Sequence, residues 1–217
     1  MRALLKFFFH HFYHTFAWTY DFVAALVSIG RWADWRRQAL PYLTGNSVLE
    51  IGFGTGHLQV DLHKRGLHVF GLDESPQMAA IGRQRLLRQG FTPGLVRGRA
   101  QELPFIESSL DVVLATFPSE FIMDRRSLAE FHRVLRPSGR LLVVPAAWIG
   151  ASSLPDRLAS FLFRVTGQTP RSPQDLERRV MSLLSQAGFD VEITYTQLRA
   201  STVMVVIASS SGGDREN

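Results

Sequence analysis

Glu50, Gly52, Gly54 and Gly56 stand at every second position in Val48-Leu49-Glu50-Ile51-Gly52-Phe53-Gly54-Thr55-Gly56, directly after an apolar run suited to a buried strand. A second apolar run, Val69-Phe70-Gly71-Leu72, ends in another acid, Asp73. Glycine has no Cβ and accepts positive φ, so the backbone there can pass close to a ligand. An acid about 20 residues beyond such a loop commonly accepts hydrogen bonds from ribose hydroxyls. Acid, glycines and second acid in register predict a nucleotide-like cofactor. The spacing argues against two kinds, a nicotinamide dinucleotide among them. The dinucleotide fingerprint G-x-G-x-x-G needs its last glycine where this chain has His57, and there is no G-x-x-x-x-G-K-[ST] phosphate loop.

The pattern E-x-G-x-G-x-G followed by Asp73 resembles that of class I S-adenosylmethionine-dependent methyltransferases. Three later segments agree with it. Arg97-Gly98-Arg99-Ala100-Gln101-Glu102-Leu103-Pro104-Phe105 resembles the stretch after that family's third strand. Ser109-Leu110-Asp111-Val112-Val113-Leu114-Ala115-Thr116-Phe117 resembles its fourth strand. Phe131 to Val144, with Leu135-Arg136-Pro137-Ser138-Gly139 inside it, resembles its helix, L-[RK]-P-x-G and fifth-strand unit. The likeness is tight over 46–145 and loose elsewhere. It is greatest for the small-molecule and quinone-lipid group that includes the ubiquinone/menaquinone C-methyltransferases.

The resemblance implies S-adenosyl-L-methionine as cofactor, S-adenosyl-L-homocysteine as product, and a role for each residue. The backbone at Gly52, Gly54 and Gly56 would pass the methionyl and ribose parts. Glu50 would take the cofactor's amino group, directly or through water, and Asp73 the ribose hydroxyls. Glu74 follows Asp73, and Met78 would touch the adenine face. Ala100 and Gln101 would hold the adenine edge, Thr116 with Phe117 would border the methionyl end, and Tyr20 would lie over the cofactor. A sulfonium is an activated methyl donor, so transfer by in-line displacement needs mainly positioning, which can supply roughly 7–11 kcal/mol. A base is needed only for an acceptor that must lose a proton. Glu120 is the first candidate, and His14 or His11 the next.

The acceptor expected from the apolar segments around the site is small, and apolar or lipid-like. RNA or protein as acceptor, or a cofactor-binding protein without catalysis, are the alternatives. The net charge of +5 comes from scattered arginines without a compact basic run, so there is no specific nucleic-acid signal. The histidines have no metal-ligand spacing, and the lack of cysteine excludes disulfides and thiolate chemistry.

The elements that must position these residues alternate as in an α/β, Rossmann-like doubly wound sheet of seven strands, mostly parallel with an antiparallel last strand. The expected strands are 47–51, 68–72, 94–98, 110–115, 141–144, 190–195 and 202–208. Ser75-Pro76 opens one helix, Asp124 caps another and Ser172-Pro173 opens a third. The link between the last two strands is too short for a crossover, so they must run antiparallel. A 217-residue chain with 20% charged and 46% apolar residues fits one globular domain, here 38–208. Residues 1–37, dense in aromatics, read as an amino-terminal helical cap. Its first helix is a candidate for peripheral membrane contact, because histidines and Asp21 interrupt any span of the roughly 18 apolar residues a transmembrane helix needs. Residues 146–169 read as a helical lid and 209–217 as a disordered tail. Location in the cytoplasm, with possible membrane association at the periphery, is the matching expectation.

Overall fold

The computed structural model describes residues 31–149, 173–199 and 201–210. Helix α1 (Trp32–Arg36) runs into a 3-10 turn (Arg37–Tyr42), where Pro41 removes a backbone donor. Strand β1 (Ser47–Ile51) leads through the glycine loop to α2 (His57–His63), a helix that the sequence reading did not separate out. Strand β2 (His68–Asp73) leads to α3 (Pro76–Arg88), where the Ser75 hydroxyl accepts the Met78 N–H at 3.3 Å and Pro76 takes the first turn. Then come β3 (Leu95–Arg97), β4 (Leu110–Thr116), a 3-10 turn (Glu120–Met123) and α4 (Arg125–Val134), capped by Asp124. The last elements are β5 (Leu135–Ile149), α5 (Pro173–Gln186), β6 (Phe189–Leu198) and β7 (Ser201–Ser210).

The seven strands form one sheet in the order β3-β2-β1-β4-β5-β7-β6. The first five pair in parallel, and β7 runs antiparallel between β5 and β6. This is the doubly wound sheet expected from the sequence, with its single reversed strand inside the β5 half. Its two faces carry separate cores. Leu58, Leu62 and Trp35 pack over one, and Phe131, Leu128 and Leu184 over the other. Wholly apolar β4 and β7 interiors follow from burial on both faces.

Two boundaries differ from expectation. Ala146–Ile149, read as the start of a helical lid, continue β5 and pair with Met204 down to Ser201 of β7. The register shifts between Val143 and Ala146, so Pro145, which has no N–H to donate, sits where the ladder is irregular. Ser209 and Ser210, read as disordered tail, are the end of β7 and pair with Asp190 and Phe189. Strand pairing overrides their polar character there. The rest of the lid segment, 150–169, and most of the amino-terminal cap, 1–30, lie outside the described residues, as do Tyr20, His14 and His11.

Candidate active site

The carboxyl ends of β1, β2 and β4 meet at one edge of the sheet, the position where open α/β sheets bind ligands. A cleft there has two parts. The larger, about 260 Å³, is lined by Gly52, Asp73, Glu74, Ala100, Gln101, Thr116 and Phe117, all expected from the sequence, together with Arg99 and Phe121. The smaller, about 30 Å³, is lined by Glu50, Gly52, Gly54 and Thr116, with Trp32, Arg36 and Thr55. Gly52 and Thr116 are common to both.

The glycines do different work. Gly54 has φ +56°, and a Cβ built on it would meet nothing within 4 Å, so the space beside it is open to a ligand. Gly56, with φ +78°, lies outside both linings. A Cβ there would come 2.9 Å from the Cα of Gly82 on α3, so this glycine serves helix packing behind the loop.

The loop is tied to both acids. The Gly54 N–H donates to Asp73 Oδ2 and the Ser75 N–H to Oδ1, each at 2.9 Å. Both carboxylate oxygens thus have a fixed backbone partner, and each keeps a further lone pair for a ribose hydroxyl. Burial raises the Asp73 pKa, and those two amides counter part of the rise. Glu50 is buried at 2% exposure. Desolvation lifts its carboxyl to about 7, against the pull of a hydrogen bond from Gln59 and the charge of Arg36, while Asp73 and Asp61 push it further up. A cationic group entering the cleft would restore the ionised form.

The segment after β3 is pinned from α4 and its cap. Gln101 Nε2 donates to Asp124 Oδ2 at 2.9 Å, so the helix cap also orients a cleft residue. Glu130 accepts the Leu103 N–H at 2.7 Å, and Arg133 donates to the Phe105 and Leu103 carbonyls. On the other side, Phe117 has φ +48°, an uncommon state for a residue with a Cβ and one that tends to mark functional sites. Its ring stacks on Trp32 at 4.2 Å between centroids. Trp35 is fully buried, and its indole donates to Ser201 Oγ at 2.8 Å.

Three predicted site residues stand apart from the cleft walls. Gly56 is one. Met78 is buried in the core, because the first turn of α3 directs it inward. Glu120 is exposed, between the lining residues Ser119 and Phe121, and the apolar Phe121 takes the inward place in that 3-10 turn. Sequence reasoning missed Trp32, Arg36 and Arg99. The spacing of Trp32 and Arg36, one helical turn apart just before β1, was a usable signal for the first two.

Fold and cleft together define a doubly wound α/β domain with an acid-lined cleft at the carboxyl ends of its strands. Residues 49–143 match the family described as methyltransferase domain. The chain is 34% identical over 131 residues to demethylmenaquinone methyltransferase of Thermus thermophilus, an alignment covering 58% of this chain and 60% of that enzyme. A Thermotoga maritima S-adenosylmethionine-dependent methyltransferase superposes with a TM-score of 0.61 at 22% identity, over 93% of this chain and 99% of its own. Geranyl diphosphate C-methyltransferase of Streptomyces coelicolor, solved with S-adenosyl-L-homocysteine, superposes with a TM-score of 0.62 at 12% identity, over 82% and 79%. The match to a methyltransferase domain covers the strands and loops that build the cleft, and the fold is shared with S-adenosylmethionine-dependent methyltransferases of known structure. The match to the Thermus enzyme spans three-fifths of its length. No helix among the described residues is long and apolar enough to cross a membrane.

Proposed function

We propose that the protein transfers a methyl group from S-adenosyl-L-methionine to a small, apolar or lipid-like acceptor, with a quinone-type ring as the leading class. The observation that carries this reading is the two-part cleft, with Asp73, Ala100 and Gln101 at one part and Glu50 beside the open Gly54 at the other. Ribose hydroxyls suit Asp73, and an ammonium or sulfonium suits buried Glu50. The bound cofactor supplies an activated methyl group. The chain's own task is to hold the two reactants aligned and keep water out, which favours transfer without a dedicated catalytic side chain.

The acceptor class rests on what surrounds the methionyl part. Phe117, Phe121 and Pro118 line the larger part and Trp32 the smaller, giving flat apolar walls. The name of the Thermus relative supports a quinone-type ring over other apolar acceptors. Glu120 is exposed, so proton removal falls to solvent or to a group outside the described residues, such as His14.

Calorimetric titration with S-adenosyl-L-homocysteine, with NAD as comparator, tests the cofactor. Micromolar binding with NAD silent is expected, and binding of neither would sink the reading. Incubation with methyl-labelled cofactor and chemically reduced demethylmenaquinone, whose hydroquinone ring carbon is the nucleophile, then tests the acceptor, label in the organic phase being the expected result. Label found only with RNA or protein would replace the acceptor class.

A further inference from the structure

We infer that Gln59 is a positioning residue of the cofactor site, holding the Glu50 carboxylate in place for the methionyl end of the ligand and tying it to the strand that carries Asp73. This rests on the cofactor reading above. Gln59 lies on α2, where its neighbours Leu58, Val60 and Leu62 are all buried and apolar, and it is itself 0% exposed. Its side-chain nitrogen donates to Glu50 Oε2 at 2.8 Å and to the Phe70 carbonyl of β2 at 3.2 Å. One amide group thus bridges the two strands whose ends carry the two acids.

The remaining atom of that amide makes the case. Gln59 Oε1 is buried with no hydrogen-bond partner. A leucine or methionine would fill the same place on an apolar helix face without that stability cost. The polar side chain makes sense through its donor, and that donor goes to Glu50. The charged groups acting on Glu50 are Arg36 of α1, which favours its ionised form, and Asp73 of β2 and Asp61 of α2, which oppose it. Gln59 is the hydrogen-bond donor that sides with Arg36.

Gln59→Met removes the donor at nearly constant volume, and Gln59→Ala serves as a second variant should the first not fold. Both are titrated calorimetrically from pH 6 to 8.5 with S-adenosyl-L-homocysteine and with 5′-deoxy-5′-methylthioadenosine, which lacks the amino-acid tail. Loss of the donor should weaken S-adenosyl-L-homocysteine about tenfold at pH 7.5 and move the pH below which binding fades upward. Affinity for the tail-less nucleoside should stay within about twofold, since its contacts lie at the other end. Equal losses for both ligands with an unmoved pH profile would make Gln59 a packing residue and overturn the inference. A wild-type protein that binds neither ligand would instead bring down the cofactor reading beneath it.

Discussion

The two ends of the cleft are built by different means. At the Asp73 end the partners are backbone amides, and the rim is an exposed pair, Glu74 and Arg99, 3.4 Å apart. At the Glu50 end the acid is buried, held by a buried side chain, and surrounded by Trp32 and Arg36 from outside the glycine motif. Backbone amides fix a carboxylate at little cost, because turn geometry already aims them. A buried carboxylate held by a side chain is desolvated, so it carries a stability penalty in the free protein and responds strongly to a cation. One end is a fixed clamp and the other a tunable charge.

The largest expected effect falls behind both ends. Gly56→Ala puts a Cβ against Gly82 at a positive φ, and should destabilise the fold by about 3 kcal/mol in thermal or urea unfolding. Ligand affinity would then drop at both ends together; loss confined to one end would mean that Gly56 contacts the ligand. Asp73→Ala should cost about 1.5–3 kcal/mol of S-adenosyl-L-homocysteine affinity by calorimetry, equally for the tail-less nucleoside. An unchanged affinity would remove Asp73 from the clamp.

Glu50→Gln separates the ends most sharply. The folded-state pKa of Glu50 is raised, so its ionisation lowers stability as pH rises from about 4.5 to about 7. The neutral glutamine should therefore stabilise the ligand-free protein at pH 8, by about 2–3 kcal/mol, while weakening cofactor binding at least tenfold. In the wild type, affinity should be full above pH 7 and decline as pH falls through that value, because the protonated acid no longer attracts the cofactor's amino group. A flat profile between pH 6 and 8, or a destabilised glutamine variant, would contradict the tunable-charge view. Glu74→Gln should change affinity by less than about 0.5 kcal/mol, since the rim pair is exposed.

The same contrast governs what the sequence disclosed. Strands β1 and β2 and the Asp73 clamp are local features, written in consecutive residues whose spacing fixes their geometry, and β1 falls at 47–51 as read. Met78 and Gly56 were assigned to the ligand by resemblance, but inward packing on α3 claims both. Trp32, Arg36 and the Gln59–Glu50 contact depend on which faces of α1 and α2 lie over the sheet, and that is settled by tertiary packing. The length of β5 was illegible for the same reason. Trp148 and Ile149 suit a helix or a strand alike, and only the presence of β7 alongside decides.

That late partner has a consequence for biosynthesis. Chain growth delivers β7 after both strands it lies between, yet Val203 to Val206 are fully buried between β5 and β6. Until Ser201–Ser210 leave the ribosome, β5 presents an open apolar edge, a template for pairing with other chains. The nascent protein must therefore keep that edge from aggregation, and folding of this half waits for β7. A stop before Ser201 would spare every cleft residue named above and still be expected to yield an insoluble product.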